Sequence, residues 1–367
     1  MAVTTRYVPR RGQIPFVWVT ATLAVAFLAV IPIAAAVFGG AAGAPARTAF
    51  ASAPAGNYLV MARTEGTVDV VSVVPLADPA APVEIARVNH LPGYSSSGAV
   101  SPDGRTVALV VAEAGTVARP GAALLTVDLE TAAVNRLAID VELLQVPLWA
   151  PDSASIVVTR RAAAGAHNDV TFLRVALDGS TQSAGSAAGV LGAYAVGFDG
   201  AGRLITVVID GRGSTALRAG VEAVSLSAQV TRDWQLSPDG SSIAFIEADL
   251  SGGLTYRARV ASLDGVSPGV AAQALNDGRQ HLGVAWKRDT GEPTFGAEPA
   301  TAGVTAQGAA PGFDVPLAYA PDGSALALQH WGGPSFAAPG PAEFQVVTGQ
   351  ARTSISGFTR FLGWAAR

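Results

Sequence analysis

Histidine, serine and aspartate are the residue types in this sequence that could do chemistry, and their spacing gives each little to work with. The four histidines, His90, His167, His281 and His330, lie far apart, and no two have the close spacing of metal ligands on one element. The stretch Gly-Tyr-Ser-Ser-Ser-Gly from Gly93 places serines between glycines. A nucleophile elbow needs Gly-x-Ser-x-Gly between a strand and a helix, and no helical periodicity follows here. Cysteine is absent, which removes disulfides, a thiolate nucleophile and the lipid-bearing cysteine of a lipoprotein. Asp103, Asp152, Asp239 and Asp322 each stand third in a Ser/Ala-Pro-Asp-Gly/Ser quartet. Carboxylates suit calcium, but an aspartate in a turn already has a task in accepting hydrogen bonds from the backbone ahead of it. Glycine-rich phosphate loops of either common kind are missing. No catalytic set, metal or cofactor is expected from these motifs.

The quartets themselves point to structure. In Ser-Pro-Asp-Gly, Ser caps the turn, Pro fixes φ at its second position and Gly supplies the left-handed residue that closes it. The flanking runs, as in Val107–Val111 and Ile243–Ile246, have the Val, Ile, Leu and Ala content of buried strands. Aligning the residue ahead of each turn gives Val100, Trp149, Phe198, Leu236, Trp286 and Tyr319, with Trp364 as a seventh near the end. The mean interval is about 44 residues, the length of a four-stranded propeller blade. Such a blade cannot bury its two faces alone, so copies must stack around an axis. The run from Asn57 to Asn89 reads as three strands lacking a first, and the run around Trp364 as a first strand with none after it. The expected fold is therefore an all-β, seven-bladed β-propeller closed by pairing of the N- and C-terminal strands. Six blades is the alternative, because the repeat at Trp286 is short and runs into a Gly-, Ala- and Pro-rich stretch. Trp149, Trp286 and Trp364 share one frame and are expected between blades.

The segments Ser-Pro-Asp-Gly-Arg-Thr-Val-Ala-Leu, Ser-Pro-Asp-Gly-Ser-Ser-Ile-Ala-Phe and Ala-Pro-Asp-Gly-Ser-Ala-Leu-Ala-Leu resemble the hairpins of TolB-like propeller repeats, which also occur in the propeller domain of prolyl oligopeptidases. The resemblance implies a propeller fold over most of the chain. It also implies an exported protein that works through protein contacts, although a membrane anchor here takes the place of TolB's extra N-terminal domain.

That anchor is read from Ile14 to Phe38, a run of 25 residues without a charge, against about 20 needed to cross a bilayer core as a helix. Arg6, Arg10 and Arg11 precede it with no acidic residue nearby, so the positive-inside rule puts the N-terminus in the cytoplasm and the remainder outside. Cleavage as a signal peptide after Ala46, giving a secreted protein, is the competing reading. The expected organisation is a cytoplasmic tail (1–13), an anchor or signal sequence (14–38), a flexible tether rich in Ala, Gly, Pro and Ser (39–56) and the propeller (57–367). All 28 acidic residues follow the anchor while three of the 24 basic ones precede it, and this acidic balance argues against nucleic-acid binding.

First strands of blades line a propeller's channel, so residues four or five positions ahead of the aligned frame should ring its mouth. They are Ser96, Gln145, Tyr194, Arg232, His281, Asp314 and Arg360. All are polar or aromatic and both charge signs occur, which suits a peptide or small polar ligand. The expected function is a noncatalytic, membrane-anchored extracytoplasmic propeller that binds an envelope protein or a small polar ligand. The alternative is a lactonase- or lyase-like propeller enzyme with its site at the mouth.

Overall fold

The computed structural model describes residues 48–117, 119–143, 145–161, 169–250, 253–263, 273–275, 277–298 and 312–367. The apolar run Ile14 to Phe38 and His167 lie outside the described residues. Among those described, no helix is long and apolar enough to cross a membrane.

From Asn57 onward the described chain is strand and turn. Three strands come first, β1 (Asn57–Glu65), β2 (Val68–Pro75) and β3 (Val83–Asn89). The next sheet is β4 (Ser97–Val100), β5 (Thr106–Thr116), β6 (Arg119–Asp128) and β7 (Val134–Val141). It is followed by β8 (Leu148–Trp149), β9 (Ser155–Arg161), β10 (Val170–Ala176) and β11 (Thr181–Ala187), then by β12 (Gly192–Phe198), β13 (Leu204–Asp210), β14 (Gly213–Arg218) and β15 (Val221–Ser227). β16 (Val230–Leu236), β17 (Ser242–Asp249), β18 (Thr255–Ser262) and β19 (Gln273–Ala274) make another. β20 (His281–Trp286) and β21 (Pro293–Ala297) form a two-stranded sheet. Last come β22 (Phe313–Tyr319), β23 (Leu326–Trp331), β24 (Ala342–Thr348) and β25 (Ala351–Ile355), and then β26 (Arg360–Ala366), which pairs antiparallel with β1 at the head of the sheet β26-β1-β2-β3. The described residues thus form an all-β propeller with six four-stranded blades and one two-stranded sheet.

The turn chemistry explains the repeated hairpins. In the β4–β5 turn, Ser101 Oγ donates to Asp103 Oδ1 (2.6 Å) and accepts from Thr106 N (3.0 Å), while Asp103 Oδ1 also accepts from Arg105 N (3.1 Å). Gly104, Gly240 and Gly323 have φ of 74°, 71° and 73°, the left-handed conformation that favours glycine. In the Ala-Pro-Asp-Ser copy, Ser153 takes that place at φ 59° and its hydroxyl accepts from Asp103 N of the neighbouring hairpin. The four turn aspartates are thus hydrogen-bonded inside their turns.

Stacking of the blades buries the strand faces. One apolar cluster joins Val60, Val71 and Val73 to Val107, Leu109 and Leu125; another joins Val110 and Leu124 to Trp149, Ile156 and Val158. Leu59, Met61 and Trp364 pack on Ala327, Val346 and Ile355. The three tryptophans of the shared frame lie between blades and also latch them. The indole Nε1 donates to the inner strand of the preceding sheet: Trp149 to Ala99 O (2.9 Å), Trp286 to Gln235 O (3.0 Å) and Trp364 to Ala318 O (3.1 Å). An indole with its N–H satisfied combines large apolar burial with a fixed register between sheets.

Within the tether expected over 39–56, residues 48–56 form a strap that touches the propeller at Thr48 and Phe50. Thr48 Oγ1 donates to Leu129 O and Glu130 O in the β6–β7 turn (2.8 and 2.9 Å). Phe50, only 2% exposed, meets Tyr58 edge-on at 5.2 Å and lies under the Arg367 guanidinium. Small residues dominate this segment, and contacts at Thr48, Phe50 and Pro54 hold it to the propeller.

Candidate functional site

Irregularities in the inner strands shape one end of the channel. The β16–β17 register skips Asp233 and Trp234, the β20–β21 register skips Gly283, and the β22–β23 register skips Leu317. A bulge bends its strand and re-aims the side chains around it. Asp233 has φ 54° and Gly283 φ 72°, and Asp233 Oδ2 accepts from Gly283 N at 3.1 Å. Aspartate tolerates the left-handed region better than most residues, and here its carboxylate ties two bulges together.

These bulges border a cavity of about 660 Å³ lined by Arg232–Gln235, Leu282–Val284, Val315–Leu317 and the aromatic group Phe313, Trp331 and Phe336. It opens where β16, β20 and β22 begin, opposite the ends that carry the Ser-Pro-Asp-Gly hairpins. Phe313 lies nearly parallel to Trp331 (12°, 6.5 Å) and edge-on to Phe336 (4.8 Å). On the opposite wall Tyr194 packs on Trp234 at 4.8 Å, and Trp234 Nε1 donates to Thr231 Oγ1 (2.7 Å). The exposed Arg232 donates through Nε to Asp233 Oδ1 (3.1 Å) and lies over the Tyr256 ring. Gln329 adds an amide. Volume and lining fall within the usual range for small-molecule sites, apolar walls with a few placed polar groups.

The seven residues expected at the mouth have different local partners. Arg232 lines the cavity, Tyr194 backs its Trp234, and Gln145, whose Nε2 donates to Ala193 O (2.8 Å), precedes the lining residue Val146. His281 and Asp314 neighbour lining residues but turn elsewhere. His281, 1% exposed, has Nε2 3.2 Å from Asp277 Oδ2. Asp314 accepts from His330 Nδ1 (2.8 Å) and pairs with Arg352. Burial works against ionisation of Asp314, but Arg352 and His330 outweigh it and hold its carboxyl below the usual range.

Ser96 and Arg360 belong to a second cluster, built around a fully buried carboxylate. Asp69 accepts from Ser96 N and Oγ (2.6 and 2.7 Å) and Thr64 Oγ1 (2.7 Å), and pairs with Arg360 of β26. His90 Nε2 stands 3.5 Å from Asp69, and His90 Nδ1 lies 2.8 Å from Leu91 O. Burial opposes the charge on Asp69, yet the bonds from Ser96, Thr64 and Arg360 together hold its carboxyl below the ordinary value. The serine-rich stretch after Gly93 therefore supplies a ligand to a structural carboxylate.

Among the described residues no group of three or more His, Cys, Asp or Glu could hold a metal ion. Asp233, Trp234, Gln329, Trp331 and Phe336 were missed by the sequence frame. The Arg-Asp-Trp triplet at Arg232 was its only trace, and Trp331 and Phe336 come from a second strand and the loop after it.

No family model matches the sequence, and no curated protein does. Solved structures do. TolB from Acinetobacter baumannii superposes with a TM-score of 0.50 at 13% identity, over 85% of this chain and 67% of that one. Prolyl oligopeptidase B from Galerina marginata, bound to a 35mer hydrolysis and macrocyclization substrate, gives 0.53 at 12% identity, over 83% of this chain and 49% of the peptidase. The chain thus spans about half the length of that enzyme. At such identities the likeness is one of fold, and the fold is that of a TolB-like β-propeller.

Proposed function

We propose that the chain is a noncatalytic, membrane-anchored propeller held outside the cytoplasm, and that the cavity between β16, β20 and β22 binds a small polar ligand or a protein partner in the cell envelope. The observation that carries this reading is the cavity itself, in which aromatic faces surround one arginine, one aspartate and two glutamines. Its two charged groups, Arg232 and Asp233, are paired with each other, and Gly283 N occupies the second oxygen of Asp233. That arrangement suits recognition more than proton transfer. Anchoring rests on the uncharged run Ile14 to Phe38 and the arginines ahead of it. In the same reading β20–β21 is the seventh blade, and the pairing of β26 with β1 closes the ring.

The rival reading, a lactonase- or lyase-like enzyme, draws on the His330–Asp314 pair, because a carboxylate on Nδ1 is how a general base is held in one tautomer. Strand alternation favours binding: Gln329 and Trp331 line the cavity, and His330 between them points to the other face of β23.

The full-length chain purified from its own membranes should carry a ligand or partner at near-stoichiometric amount. The double variant Arg232→Glu/Gln329→Ala should lose it at least tenfold with an unchanged melting temperature. Equal retention by the variant refutes the site, and turnover of a lactone or glycan that the variant abolishes favours the enzyme.

A further inference from the structure

We propose that the ligand of the aromatic cavity is a ring compound carrying one carboxylate, with the acid gripped by the free end of Arg232; the proposal rests on the cavity being the binding site. Among the described residues, Arg232 and Asp233 are its only charged lining side chains. Asp233 has both oxygens engaged, Oδ1 with Arg232 Nε and Oδ2 with Gly283 N. It takes only the Nε of the guanidinium, and among the described residues the two Nη groups meet no acceptor. The head is nevertheless placed, because it lies 5.9 Å from the centre of the Tyr256 ring, and Tyr256 meets the lining residue Phe336 at 6.3 Å. An arginine fixed through Nε presents its two Nη groups as a fork, the geometry that matches a carboxylate with two parallel hydrogen bonds.

The neutral side chains point to the same partner. Trp149, Trp234, Trp286 and Trp364 each donate through Nε1 to an oxygen, whereas Trp331 lines the cavity with its indole N–H unpaired among the described residues. The side-chain amide of Gln329 is unpaired in the same way. Donors without acceptors thus gather around one space, and a ligand must bring the oxygens. One negative charge is the right number. Arg232 is the single cation of the lining, and Asp233 at 3.1 Å already offsets part of it, so a second charge on the ligand would stand uncompensated beside a carboxylate. The aromatic walls, Phe313, Trp331 and Phe336, suit the face or edge of a ring.

The test is isothermal titration calorimetry of the full-length chain, purified in detergent, with benzoate, 2-naphthoate and indole-3-acetate at neutral pH, each beside its uncharged primary amide. At least one acid should bind about tenfold more tightly than its amide, the difference being made by charge-assisted hydrogen bonds. Arg232→Gln, at an exposed side chain, should abolish that difference with an unchanged melting temperature. 2-Naphthyl phosphate should bind no more tightly than 2-naphthoate. Acids and amides that bind alike, a preference that survives in Arg232→Gln, or a phosphate that binds more tightly overturn the carboxylate while the cavity stands as a site. Binding by none of the acids overturns it as well, and the cavity itself falls only when Arg232→Glu/Gln329→Ala also keeps the copurified ligand.

Discussion

Asp69 shows how one residue can hold several elements. It sits on β2, and its partners come from β1 (Thr64), β26 (Arg360) and the approach to β4 (Ser96), with His90 beside it. Removing one partner of a buried ion pair leaves the other charge uncompensated, which costs about 3–5 kcal/mol. Asp69→Asn should therefore be less stable at pH 7 by on the order of 3 kcal/mol. Because the folded-state pKa of Asp69 is lowered, its contribution is complete above the unfolded carboxylate range, near pH 4, and is lost as pH falls through the folded value. Urea unfolding from pH 7 to pH 2.5 should show a constant gap between wild type and variant down to about pH 4 and a closing gap below it. A gap that stays constant from pH 4 down to pH 2.5 would mean that the carboxylate's charge is not what stabilises the site.

At the scale of elements, the strap shows what an average composition leaves out. Gly39 to Gly56 is almost uniformly small, and an average over it conceals Phe50. Phe50→Ala should cost about 3–5 kcal/mol, as truncation of a buried aromatic does, whereas deleting Gly39 to Arg47 should leave the melting temperature of the propeller unchanged; thermal unfolding followed by circular dichroism measures both. The hairpins were legible in the sequence because their turn residues have fixed mechanical tasks, and so were the interblade tryptophans, whose spacing follows the blade. The cavity was not. Its walls depend on bulges at Asp233, Gly283 and Leu317, and a bulge shifts which side chains face the channel without changing a residue type that a frame can count. Two members of the expected ring, Ser96 and Arg360, satisfy the buried carboxylate of Asp69, a role that the repeat frame does not register.

On the scale of the whole molecule, the sheets are proposed to close into a ring, with the aromatic cavity at the end away from the Ser-Pro-Asp-Gly hairpins. The cavity depends on that ring, since it draws on three sheets. The central claim is that β26 and β1 complete that ring, and one measurement tests it directly. Gly56 and Arg367 exchange both backbone hydrogen bonds (3.0 and 3.1 Å). The next pair, Asn57 and Ala366, is therefore a non-hydrogen-bonded pair, whose Cα atoms lie about 4.5 Å apart, within disulfide range. The chain has no cysteine of its own, so Asn57→Cys/Ala366→Cys can form only this bond within one molecule. Mild oxidation should close it nearly completely, giving a monomer that migrates faster without reductant and has a higher melting temperature. Two free thiols after oxidation, or disulfide-linked dimers in place of the monomer, would contradict the ring.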